Sequence, residues 1–68
     1  MSVVESDMQI LGGVLVFKST RVTVHSLFDY LVAGQTVSEF LEDFPTVSFD
    51  QVKHVIKSAE VAYEKTAA

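Results

Sequence analysis

Apolar residues along this chain repeat with a helical period from Val24 onward and with no single period before it. Val24, Leu27, Phe28 and Leu31 are spaced i, i+3, i+4 and i+7, which places them on one face of a helix. This first helix is expected from about Val24 to Ala33, with Gly34 as the C′ residue where a positive φ is needed. Val37, Phe40, Leu41 and Phe44 repeat the same spacing in a second helix. Its start is marked by Thr36 and Glu39 in the T-x-x-E spacing of a capping box. Pro45 ends it, because a residue before proline avoids the α region. Ser48 and Gln51 form a second capping box, and Val47 with Val52 occupies the two positions of a hydrophobic staple. The stripe Val52, Val55, Ile56, Ala59, Ala62 and Tyr63 then carries a third helix to about Lys65.

The segment before Val24 has β character. Val14–Phe17 and Arg21–Thr23 are expected as short strands, with Gln9–Leu11 a weaker third. Two turns compete for the hairpin, Gly12-Gly13 and Lys18-Ser19-Thr20. Residues 1–8 show no period and are expected to fray. The fold class is therefore mainly α: a short N-terminal β arm of two or three strands, then a three-helix, helix-turn-helix-like bundle. Residues 9–66 are expected to form one domain.

Composition adds a constraint on how such a bundle is stabilised. A chain of 68 residues has much surface for its volume, yet 49% of its residues are hydrophobic and its mean hydropathy is +0.33. There is no cysteine, so neither disulfides nor thiolate metal sites are available. His25 and His54 lie far apart without clustered ligands, so no metal or other cofactor is expected. A homodimer is the expected extra source of stability, built from the arm because a short hairpin offers its edge to another chain. The longest apolar run, Val14 to Phe17, is far too short for a membrane span, and the start of the chain does not read as a signal peptide. A cytoplasmic protein with no membrane partner is expected.

The net charge of −4 and pI of 4.8 argue against an autonomous nucleic-acid binder, so any DNA contact must use a local basic face. Lys53, His54 and Lys57 lie on the outer side of helix three, with Gln51 beside them. As a recognition helix, the lysines would meet phosphates and Gln51 or His54 would meet base edges; alternatively this is a solvated face balanced by Asp50 and Glu60. Arg21, next to Thr20, either reaches a phosphate from the arm or pairs with Glu39, Glu42 or Asp43 to hold the arm on the bundle. Val14, Val16, Phe17, Tyr30 and Phe49 are the candidate interface residues. Thr20, Arg21, Thr36, Glu39, Ser48 and Gln51 are the candidate structural ones. Glu39 is committed to a cap, and Glu42 and Asp43 point in different directions around their helix. With no activated nucleophile in view, neither enzyme activity nor a small-molecule substrate is expected.

The stretch Gly12-Gly13-Val14-Leu15-Val16-Phe17-Lys18-Ser19-Thr20-Arg21-Val22-Thr23-Val24 resembles the opening signature of domain-of-unknown-function family 433, approximately G-x-P-V-I-x-G-T-R-[IV]-P-V. The likeness continues through Leu27 to Leu31, Ala33-Gly34, the block Glu39 to Pro45, and Val47 to Val52, and covers about Leu11 to Ala62. Three departures lie in the arm: Leu15 for proline, Ser19 for glycine and Thr23 for proline. Ser19 either adopts a less extreme turn than glycine would or bears strain. Thr23 regains an amide and can cap helix one through Ser26. The resemblance implies a homeodomain-type bundle acting as an antitoxin: a dimer that binds a PIN-like ribonuclease toxin and the DNA of its own operon. A small homodimeric interaction module with no DNA binding is the alternative.

Overall fold

A computed structural model describes residues 3–7 and 13–66. Two strands, β1 (Val4–Asp7) and β2 (Val14–Phe17), precede three helices, α1 (Val24–Val32), α2 (Val37–Asp43) and α3 (Phe49–Thr66). The strands pair antiparallel, with Val4 opposite Phe17 and Asp7 opposite Val14.

The arm differs from expectation in two ways. The partner of β2 is Val4–Asp7, inside the segment expected to fray. Its Val3 carbonyl accepts from the Lys18 amide at 2.9 Å and the Glu5 carboxylate accepts from the Ser19 amide at 3.0 Å. Pairing across the sheet and these two bonds to the turn after β2 supply order that the β1 sequence lacks by itself. The weaker third strand, Gln9–Leu11, lies outside the described residues. Arg21–Thr23 is not a strand: only Thr23 forms an isolated bridge, to Val16. The reason is local, because Thr23 is already the N-cap of α1 and the chain must turn into the helix there.

Among the described residues a tight turn follows Phe17; Gly12 of the competing Gly12-Gly13 turn lies outside them. The Phe17 amide donates to the Val22 carbonyl at 2.9 Å, and the Thr20 amide donates back to the Phe17 carbonyl at 3.0 Å. Ser19 sits at φ 65, so it occupies the left-handed region that glycine would enter freely. The Thr20 hydroxyl donates to the Phe17 carbonyl at 2.7 Å and accepts from the Val22 amide at 3.1 Å, closing the turn from inside.

The helix ends form as their residues require. Thr23 accepts from the Ser26 amide at 3.1 Å. At the other end of α1, Gly34 at φ 87 bonds Leu31 and the Gln35 amide reaches back to Tyr30 at 2.9 Å. Those two bonds constitute a Schellman ending. Both capping boxes are present in full: Thr36 with Glu39, and Ser48 with Gln51.

Phe17, Leu27, Phe40, Val47 and Val52 form the buried core, one residue from β2, one from each helix, and Val47 from the α2–α3 connection. Phe40 lies at its centre, with ring centroids 6.1 Å from Phe17, 5.2 Å from Tyr30 and 5.0 Å from Phe44. The Val47–Val52 staple thus joins the start of α3 to the core directly. Beyond Ile56, α3 leaves the core, and its described side chains from Lys57 to Lys65 are exposed.

Candidate functional site

Helix α3 carries most of the candidate chemistry, and its capping box fixes how that helix meets the arm. The Gln51 side-chain oxygen accepts from the Ser48 amide at 2.9 Å, while its amide nitrogen donates to the Lys18 carbonyl at 3.2 Å and the Val3 carbonyl at 3.4 Å. Both ends of this side chain are therefore committed inside the chain. Gln51 is a clasp between α3 and the arm, which removes it from the set that could read a base edge.

Beside it, Asp50, Lys53, His54 and Lys57 line a shallow depression on the outer face of α3. Lys57 donates to Glu60 at 2.8 Å, and that contact raises the pKa of its ammonium above the usual 10.5. Asp50 and Glu60 thus flank the two lysines, one on each side, over about three turns of helix. Arg21 is exposed at the base of the arm and makes no ion pair among the described residues. Glu39 is engaged in its cap, and Asp43 accepts from the Tyr30 hydroxyl at 2.7 Å. The expected pairing of Arg21 with Glu39, Glu42 or Asp43 is thus not formed, and it is Thr20, not Arg21, that holds the arm turn together.

The interface candidates separate into two sets. Val16 and Phe17 are buried within the chain, at 1% and 0% exposure, because both faces of β2 near its end are covered. Tyr30 is half-buried, edge-on to Phe40 and Phe44, since its position off the main stripe of α1 faces α2. Val14 is half-buried in the sheet. Phe49 alone stands out as expected, 59% exposed at the first turn of α3.

A second surface was not legible in the sequence. Val3, Val4, Leu15, Val24, Val55 and Ser58 line an apolar groove between the arm, the start of α1 and α3, with His54 at its rim. Leu15 is half exposed at its edge. The signal for it was the Val3-Val4 pair, which in an aperiodic terminus gives no hint of what it will lie against. Among the described residues no group of three His, Asp or Glu side chains is placed to hold a metal ion. No helix among them is long and apolar enough to cross a membrane.

The model of a family described as protein of unknown function (DUF433) matches residues 4–58. The chain belongs to this family. The match begins at the first residue of β1 and ends two residues after Ile56, where α3 leaves the core. It therefore covers both strands, every groove residue but Val3 and the packed part of the bundle, and omits the projecting end of α3. No curated protein and no solved structure matches the chain.

Proposed function

We propose that this protein is a non-catalytic binding module of antitoxin type, a homodimer whose partner is a PIN-like ribonuclease toxin. The observation that carries the reading is the open apolar groove between arm and α3. A chain this small gains little by leaving Leu15, Val4 and Val55 at a solvent-facing cleft unless another protein covers them. The toxin identity rests on the family resemblance carried by the Gly12–Val24 stretch.

Operator binding is the less supported half of the reading. Of its five candidate residues, Gln51 is committed to the arm and Lys57 to Glu60, and a net charge of −4 opposes approach to DNA. Lys53, His54 and Arg21 remain.

Co-expression with a PIN-like nuclease, taken from the neighbouring gene where that gene encodes one, tests the proposal. The wild-type chain should relieve nuclease toxicity and co-purify with it. Leu15→Arg should lose both while keeping the far-ultraviolet circular dichroism of the parent, since Leu15 is half exposed. Absence of any complex with the wild-type chain would sink the antitoxin reading. Gel-shift titration on upstream DNA tests the second half, and retention that does not weaken with salt counts against phosphate contacts.

A further inference from the structure

Helix α3 carries an exposed pattern that continues beyond the core and the groove. Phe49, Ile56 and Tyr63 recur every seven residues, so they drift by only about 20° per repeat around the helix and form one stripe. Phe49 is 59% exposed and Tyr63 is 76% exposed, with Ile56 half-buried at the margin of the core between them. Seven-residue spacing is the period at which one helix packs along another.

Beside this stripe runs a charged flank. Lys53, Lys57, Glu60 and Glu64 are all exposed, and at 3.6 residues per turn they fall within an arc of about 60°. The flank is basic towards the N-terminal side and acidic towards the C-terminal side. Lys53 and Glu64 are centred on the point between Ser58 and Ala59, and so are Lys57 and Glu60. A two-fold axis through that point sets each lysine against a glutamate of a second, antiparallel copy.

We infer that the exposed flank of α3 is a self-association surface whose occupant is the α3 of a second copy of this chain. In such an isologous pair the same flank meets itself. Lys53 then faces the second copy's Glu64, and Lys57 faces the second copy's Glu60. The two Ile56 side chains flank the axis, and each Tyr63 enters between Phe49 and Ile56 of the other copy. Lys57 and Glu60 also pair within one chain, at 2.8 Å, and that exposed contact can be exchanged at little loss. Lys53 and Glu64 cannot do so, being about 16 Å apart along the helix.

This inference deepens the proposed homodimer and moves its contact from the arm, whose Val16 and Phe17 are buried, to α3. It also occupies Lys53 and Lys57, two of the residues that operator binding would need.

Sedimentation equilibrium of the full chain at low ionic strength tests it with a charge exchange. K53E and E64K should each raise the dimer dissociation constant about tenfold, because each replaces two attractive contacts per dimer by repulsive ones. The double variant K53E/E64K should recover the parent value. An equimolar mixture of the two single variants should recover it as well, since in the mixed dimer both contacts are again opposite in charge. Circular dichroism should be the same for all, as both side chains are exposed. A chain that stays monomeric overturns the inference. So does a dimer whose constant changes less than twofold across the series, which would place the contact elsewhere. Nuclease capture by the Leu15 groove is read separately, so either proposal can fail while the other stands.

Discussion

Ser19→Gly should make this protein more stable, although it removes a side chain. Ser19 holds φ 65 in the turn after β2, where a residue with a Cβ is crowded by about 1–2 kcal/mol relative to the right-handed region. Its side chain makes no contribution that glycine would forfeit: the bond that matters runs from the Ser19 backbone amide to the Glu5 carboxylate at 3.0 Å. Glycine gives back part of the gain, because its unfolded chain is freer by about 0.5–1 kcal/mol. The net expectation is a stabilisation of about 0.5–1 kcal/mol, or about 3–6 °C in Tm for a domain of this size. Urea unfolding followed at 222 nm, at one protein concentration for every variant, measures it. The midpoint should rise with an unchanged slope. Ser19→Ala keeps the Cβ and should stay within about 0.5 kcal/mol of the parent. A glycine variant no more stable than the parent would falsify the strained-turn argument. Equal gains from glycine and alanine would transfer the effect to the serine hydroxyl.

The other predictions concern the clasp, the core and the edge of the aromatic cluster. Gln51→Ala should cost about 1–2 kcal/mol in urea unfolding, through loss of the cap and of both bonds to the arm. Gln51→Glu should be no milder, since it keeps the cap acceptor but turns an anion towards the Lys18 carbonyl. Phe40→Ala should cost about 3–5 kcal/mol and leave little folded protein at 25 °C, as judged by near-ultraviolet dichroism. The hydrogen bond to Asp43, then partial burial and the charges of Asp43 and Glu39, hold the Tyr30 phenol above its usual 10.0. The protonated phenol is the form favoured by folding, so its contribution is complete below pH 10 and is lost as pH rises through the raised value. Urea midpoints at pH 7, 9 and 11 should show that loss in the parent, and Tyr30→Phe should lack that component.

The helical two-thirds of this molecule were readable because their determinants are local. Thr36 with Glu39, Ser48 with Gln51, Gly34 and Pro45 act within four or five residues of the bonds they make or prevent. Apolar spacing at i, i+3, i+4 and i+7 also names the core face of each helix, and Leu27, Phe40 and Val52 lie there. The sequence alone therefore determined three helices, their caps and the family to which the chain belongs.

Tertiary structure decided what the arm does and which surfaces stay open. Val4–Asp7 has no pattern of its own and becomes a strand only because β2 lies beside it and Lys18, Ser19 and Gln51 bond to its neighbourhood. Periodicity alone likewise could not assign Gln51 to the arm or leave Arg21 without a carboxylate, since each outcome depends on a residue more than ten positions away. It could not say where α3 stops being covered, either. The apolar stripe runs on unchanged past Ile56, but the core it would face ends there, because only a short arm and two short helices are available to build it. Periodicity reports which side of a helix is apolar; how far that side is buried is decided by the size of what packs against it.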